Sequence, residues 1–314
     1  MAGGPAMSPL RDALDRYIAM RRGFGYKLRC EAYLLARFVA YMEQQGATII
    51  TTRLALDWAT SEASPPTWPG RLSVVRTFAR HLSSTEPRTQ IPATDILAAR
   101  QRRTPHIYTD QEIGGLLDVM LTVRSAKGLH RWTYYCIFGL LAVTGLRIGE
   151  ALGIKREDVD LDAGLLTIRD TKFGKSRLVP IHSTTAAVLT DYARRRDALF
   201  STPISPTFFV GEQGRALNHH AVHLIFLTVA RQIGLRHPGD AYHGPRIHDL
   251  RHSYAVATLL RWYRAGDDVE QRLPILSTYL GHSHTSCTYW YLSACPELME
   301  HAARRLDARW EQIS

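Results

Sequence analysis

The stretch from His248 to Tyr291 constrains this 314-residue chain more than any other. It reads His-Asp-Leu-Arg-His at 248–252, Leu-Gly-His at 280–282 and Thr-Tyr-Trp-Tyr-Leu at 288–292. His248 and Arg251 stand three apart, so on a helix they project from one face. His282 follows a glycine, and Tyr291 comes nine residues later. Cations, imidazoles and a phenol are the groups that attack on a phosphodiester by a protein nucleophile requires. A guanidinium grips nonbridging phosphate oxygens in a fixed fork, and a phenol can form a covalent ester. No carboxylate cluster accompanies them in sequence, so a two-metal phosphoryl-transfer site is not suggested.

Two upstream stretches carry similar chemistry. Residues 132–143 are apolar nearly all round, as expected of a buried helix. Thr144-Gly145 breaks that run, and a second helix is predicted from about Arg147. Arginine at such a break needs a partner or a ligand, and Glu150, one turn on, is the intrahelical partner. A surface Arg147–Glu150 pair is the plainer reading of the same residues. Further on, 165–169 and 177–181 read as short strands joined by the turn Lys172-Phe173-Gly174-Lys175. Lysines at a hairpin tip are commonly just solvated; the functional reading is a flexible hairpin presenting an ammonium to a ligand.

Together these stretches resemble the tyrosine recombinase (integrase) family. Thr144-Gly145-Leu146-Arg147-Ile148-Gly149-Glu150-Ala151-Leu152 resembles its first-arginine motif. Thr171-Lys172-Phe173-Gly174-Lys175-Ser176-Arg177-Leu178-Val179-Pro180-Ile181 resembles its lysine-bearing β-hairpin. His-x-x-Arg, Leu-Gly-His and a Tyr nine residues on complete the pattern. The resemblance implies a catalytic set of Arg147, Lys172, His248, Arg251, His282 and Tyr291. Tyr289 competes with Tyr291, but on one helix the two point about 200° apart, so only one can face the site. The family's nine-residue offset from His282 selects Tyr291. Tyr289-Trp290 is similar to integrases and transposases of mobile elements.

The implied fold class is mainly α with a small β-sheet (α+β): an N-terminal helical core-binding domain, then the catalytic domain. Periodicity agrees. Ser8-Pro9 is a helix start, with Leu10, Leu14 and Ile18 at helical spacing until Gly23 and Gly25. Further helical runs cover about 28–45, 52–61 and 70–83. We place the domains at 1–104 and 105–314, with a proline-rich, extended, basic linker over about 84–107. Thr109-x-x-Glu112 reads as a capping box, and helices are predicted near 183–198, 217–234 and 269–280.

The formal charge of +10 suits a polyanionic partner. Residues 1–104 hold 15 Lys+Arg against 8 Asp+Glu, and the rest hold 24 against 21. The helical domain therefore carries most of the positive field. Its candidate phosphate contacts are Arg21, Arg22, Lys27 and Arg29 around the first turn and Arg71, Arg76 and Arg80 on the fourth helix. Arg102 and Arg103 in the linker and Lys175 and Arg177 on the hairpin extend the set. The plainer alternative is a solvated basic face.

Cys30, Cys136, Cys287 and Cys295 form no Cys-x-x-Cys pair, which argues against a disulfide framework. His219-His220 and His282-Ser283-His284 lack the cysteine pair or carboxylate that would complete a zinc site, so no metal or other cofactor is expected. With no apolar run of about 18 residues and no leader, a cytoplasmic, nucleoid-associated protein without membrane contact is expected. Met299, Ala302, Ala303, Leu306 and Trp310 form one apolar stripe near the C-terminus.

The resemblance implies a site-specific recombinase, integrase or transposase acting on double-stranded DNA through a 3′-phosphotyrosyl intermediate. It also makes the last helix an assembly element for a dimer to tetramer on DNA, and a co-encoded recombinase is kept open as a second partner. Two other readings stand beside it: a type IB topoisomerase relaxing supercoils as a monomer, and a non-catalytic DNA-binding regulator.

Overall fold

Ser8 accepts a hydrogen bond from the Arg11 N–H at 3.3 Å, and Pro9 occupies the first helical position, so the chain turns helical at once. The computed structural model describes residues 8–61, 64–98, 103–169, 176–237, 239–240, 244–282, 284–293, 297–300 and 303–304. The chain divides into two units, residues 1–103 and 104–314.

The first unit contains α1 (Pro9–Gly23), α2 (Arg29–Gln44), α3 (Thr52–Ser61) and α4 (Trp68–Leu82). Each turns its apolar stripe inward. Phe38, Val39, Met42, Val75 and Phe78 have no solvent contact, and Trp58 meets Phe38 edge-on at 5.2 Å. The sequence predicts an extended linker from about residue 84, but this chain folds back first. The Gln90 N–H donates to the Ile50 carbonyl at 2.8 Å, and the Gln90 side chain accepts from the Thr52 N–H at 2.8 Å. Arg76 donates to the carbonyls of Pro92 (2.7 Å) and Ala93 (2.8 Å), while Leu97 packs on the helical core. Prolines remove donors but leave carbonyls needing partners, and Arg76 supplies them. The stretch to Leu97 is thus part of the helical unit.

The second unit runs α5 (Asp110–Met120), α6 (Leu129–Thr144), α7 (Ile148–Gly153), β1 (Val159–Asp160), β2 (Leu165–Ile168), β3 (Arg177–Pro180), α8 (Ser183–Leu199) and α9 (His219–Gln232). It closes with α10 (Ile247–Arg264), α11 (Val269–Leu280) and α12 (Ser286–Ser293). The mainly α class with a small sheet holds. Thr109 and Glu112 form the capping box expected of them, at 3.2 and 2.7 Å. The apolar run becomes α6, whose Tyr134, Ile137, Phe138, Leu140 and Leu141 are buried against α5, α8 and α10. The three strands pair antiparallel in the order β1-β2-β3, with Leu166 opposite Val179 and Ile168 opposite Arg177. Lys172 and Lys175 lie outside the described residues. A second apolar cluster joins α10, α11 and α12 through Val256, Leu259, Leu273, Leu276, Leu280 and Tyr291, with Leu298.

Gly145 ends α6 at φ +62°, left-handed backbone that other residues resist. A Cβ there would lie 2.7 Å from the Tyr254 ring of α10. Only glycine lets α6 stop while α10 packs this close.

Candidate active site

Arg147 is the N-cap of α7, so its side chain leaves the chain where α6 has stopped and α7 begins. Its Nη1 donates to Glu150 Oε1 at 2.8 Å, and its main-chain N–H donates to Oε2 at 3.0 Å. Nη2 reaches the Gly281 carbonyl at 3.3 Å. Glu150 has a second guanidinium partner: Arg177 of β3 donates to both carboxylate oxygens, at 3.1 and 2.9 Å, and to the Tyr279 carbonyl at 2.8 Å. Burial alone would raise the Glu150 pKa, yet the hydrogen bonds from Arg177 and the Arg147 backbone, with both charges, hold it at about 2. The pair is therefore no loose surface bridge. Glu150 anchors the strand after the hairpin to the helix start that carries Arg147, which keeps a 37% exposed side chain.

Arg251 lies on α10 and is 2% exposed. Its Nη1 donates to the Gly145 carbonyl at 2.8 Å and its Nη2 to the Leu280 carbonyl at 2.6 Å, and it has a side-chain hydrogen bond with Tyr291. Both carbonyls lie at helix C-termini, where backbone dipoles favour a cation. Burial, then the Arg147 charge, push the Arg251 pKa down to about 10, opposed by Tyr291 and Glu150. At neutral pH the guanidinium stays charged.

Three imidazoles surround this pair. His248, three residues before Arg251, keeps an exposed edge. Desolvation of the rest of its ring and the Arg251 charge hold it below the ordinary histidine value. His252 is 6% exposed, its ring 4.9 Å from His248, 5.0 Å from Trp290 and 5.4 Å from Tyr291. Burial, then His248, push its pKa to about 3, and its buried Nδ1 has no hydrogen-bond partner among the described residues.

His282 follows Gly281, whose φ of +69° closes α11, and the His282 N–H returns to the Ser277 carbonyl at 2.9 Å. The ring is thus placed by local backbone. A Cβ on Gly281 would come within 2.6 Å of the Arg177 guanidinium. His282 Nδ1 lies 2.8 Å from Thr288 Oγ1. Burial, then Arg251 and Arg147, lower the His282 pKa to about 4. All three imidazoles are therefore shifted toward the neutral form.

Tyr291 on α12 stacks 5.9 Å from His282 and is 2% exposed, whereas Tyr289 is 52% exposed. Arg147, His248, Arg251, His282 and Tyr291 therefore converge, and the fold separates the two tyrosines. Sequence reasoning gave His252 and Thr288 no role. His252 offered only its place in the motif, and Thr288 only its spacing of three from Tyr291.

The expected DNA contacts fare differently. Arg71 is 6% exposed, with its guanidinium 4.0 Å over Trp58 and Nη2 donating to the Trp58 carbonyl at 2.7 Å. It packs the first unit's core rather than standing out as an exposed cation. Arg177 is likewise engaged with Glu150 and lies beside Gly281. Arg76 holds the Pro92–Ala93 carbonyls, and Arg21 stacks 4.0 Å over Tyr26. Arg22, Lys27, Arg29 and Arg80 are exposed, Arg103 is partly so, and Arg102 lies outside the described residues. Of the C-terminal stripe, Met299 and Ala303 are exposed, and Ala302, Leu306 and Trp310 lie outside the described residues; Leu298 is fully buried. Among the described residues no three His, Cys, Asp or Glu side chains group as metal ligands, and no helix is long and apolar enough to cross a membrane.

Comparison with known proteins gives concordant results. The model of the phage integrase family matches residues 108–297. A Sinorhizobium fredii protein named integrase/recombinase y4rB is 50% identical over 312 residues, 97% of this chain and 99% of its own length. The tyrosine recombinase XerA of Pyrococcus furiosus is 29% identical over 206 residues, 65% of this chain and 62% of its own. Among solved structures, the Tn1549 transposon integrase in complex with transposon right end DNA matches with a TM-score of 0.66 at 15% identity, covering 94% of this chain and 98% of that one.

Proposed function

The chain belongs to the phage integrase family of tyrosine recombinases and is a site-specific DNA recombinase; on that premise we propose that Tyr291 is its nucleophile. The observation that carries this reading is the placement of Tyr291 against Arg251 and His282 while Tyr289 faces solvent. The Tyr291 oxygen attacks phosphorus and the P–O5′ bond breaks, leaving a 3′-phosphotyrosyl link and a free 5′-hydroxyl. Arg147 and Arg251 grip the phosphate and offset the charge that builds on its oxygens. His248, held neutral, accepts the tyrosine proton, and His282 hydrogen-bonds a nonbridging oxygen. Lys172 on the hairpin protonates the departing 5′-oxygen. The ester conserves the bond energy, so attack by a new 5′-hydroxyl rejoins the strand without ATP.

The first unit, residues 1–103, serves as the core-binding domain and residues 104–314 as the catalytic domain. Exposed Arg22, Lys27, Arg29 and Arg80 supply phosphate contacts to double-stranded DNA. The C-terminal stripe docks on a neighbouring protomer as dimers and tetramers form on DNA; a lambda integrase tetramer bound to a Holliday junction shares the fold.

A nicked suicide substrate carrying a candidate core site tests the reading. Wild type and Tyr289→Phe should trap a covalent DNA adduct, while Tyr291→Phe binds the same DNA and traps none. An adduct peptide that maps to Tyr289 overturns it.

A further inference from the structure

The Thr288 hydroxyl, three residues before Tyr291 on α12, belongs to a residue with no solvent exposure and lies 2.8 Å from His282 Nδ1. A threonine hydroxyl carries one proton, and a neutral imidazole carries one proton on either of two nitrogens. Suppose the imidazole proton sat on Nδ1. It would donate to Oγ1, and the hydroxyl proton would need a different acceptor. Among the described residues Oγ1 has none. Thr133, Thr144, Thr258 and Thr278 each donate to the carbonyl one turn back, but Thr288 makes no such bond. A buried donor without an acceptor is costly and rare. The opposite arrangement satisfies both groups: Oγ1–H donates to Nδ1, and the imidazole proton sits on Nε2. The His282 pKa of about 4 keeps the ring in the neutral form to which this choice applies.

We propose that Thr288 is a positioning residue that fixes His282 as its Nε2–H tautomer, so that His282 offers the DNA phosphate a donor. The catalytic half of this inference rests on the phosphotyrosyl reading above. The consequence for proton traffic is definite. An Nε2 that already holds a proton cannot take the one leaving Tyr291, so His282 is excluded from the role given above to His248. Because Thr288 and Tyr291 share α12, the tautomer is also set only while the nucleophile's helix is docked. A mispositioned α12 loses the donor and the nucleophile together.

Nitrogen-15 spectra of the full chain with labelled histidine test the assignment without any reaction. Wild type and Thr288→Ser should show His282 protonated at Nε2, with Nδ1 a bare acceptor. Thr288→Val keeps the shape and removes the hydroxyl, so the two nitrogen resonances should move toward each other as both tautomers are populated. Single-turnover cleavage should then fall roughly tenfold to a hundredfold, the scale known for outer partners of metal-bound histidines. DNA binding should hold and Thr288→Ser should restore the rate. An Nδ1-protonated His282 in wild type overturns the proposal even if no variant folds. So does a Thr288→Val protein with unchanged tautomer and unchanged rate. A wild-type protein that traps no adduct would instead defeat the phosphotyrosyl reading, while the spectrum still decides the tautomer.

Discussion

Glu150→Gln asks how much of the active site one carboxylate holds together. In the folded chain the carboxylate takes hydrogen bonds from the Arg147 main chain, the Arg147 side chain and both ends of the Arg177 fork, and its side chain is 9% exposed. Its pKa falls from 4.5 to about 2 because the two arginines outweigh burial. Each tenfold change in proton affinity is about 1.4 kcal/mol, so this fall ties roughly 3 kcal/mol of folding free energy to the ionised form. The folded state binds the proton more weakly than the unfolded chain does. The contribution is therefore complete above about pH 5 and disappears as pH falls toward 2. Glutamine keeps the shape but has no charge, and its amide presents donors to two guanidinium groups. The variant should be about 3 kcal/mol less stable than wild type at pH 7, the scale of breaking a buried pair, with the gap closing as pH approaches 3. Urea titrations of both full-length proteins, followed by circular dichroism from pH 7 to 3, measure it. The proteins differ at one group, so subtraction removes every other carboxylate. A gap that does not change with pH, or one below about 0.5 kcal/mol at pH 7, would refute the account.

Arg71→Ala should cost about 2 kcal/mol, through the lost stacking on Trp58 and the lost charged hydrogen bond to the Trp58 carbonyl, and leave the salt dependence of DNA binding unchanged. Arg80→Ala should do the reverse: stability within about 0.5 kcal/mol of wild type, and a shallower salt dependence in filter binding. A 5′-bridging phosphorothiolate, whose thiolate leaves without a proton, should rescue cleavage by Lys172→Ala but not by Arg147→Ala; rescue of Lys175→Ala instead moves the acid to the other lysine. Deleting residues 301–314 spares the buried Leu298 and should weaken cooperative binding to paired sites more than binding to one half-site in gel-shift titrations. Equal loss on both DNAs would mean the segment only stabilises its own domain.

The helices were legible because each states its own period and its own stops: Pro9 opens α1, and Gly145 and Gly281 end α6 and α11. The phase argument that separates Tyr289 from Tyr291 was equally local, and the two differ in burial as it requires. What failed was non-local. Arg177 read as a DNA contact because it neighbours two lysines, and nothing in sequence shows Glu150 waiting 27 residues away. The proline-rich stretch after α4 read as a free linker because its ties run to Ile50, in the loop before α3, and back to Arg76 of α4. Arg71 is a different error. It shares its helical face with Val75, Phe78 and Leu82, so its burial was readable from spacing, had its charge not drawn attention away from its position. His252, adjacent to Arg251, carried no periodic signal toward the tyrosine ring that it meets.

Arg251 donates to carbonyls 106 residues upstream and 29 downstream, at the ends of α6 and α11. It is a keystone: until both helix ends arrive, the guanidinium has no seat. Catalytic competence and completed folding then become one event. On that mechanism a truncated, nicked or half-unfolded copy is not a sluggish nuclease but an inert chain. Lysine, a point charge without a planar fork, cannot span the two carbonyls in this way, so in the mechanism proposed above the arginine serves both as a reagent and as an interlock against stray strand breaks.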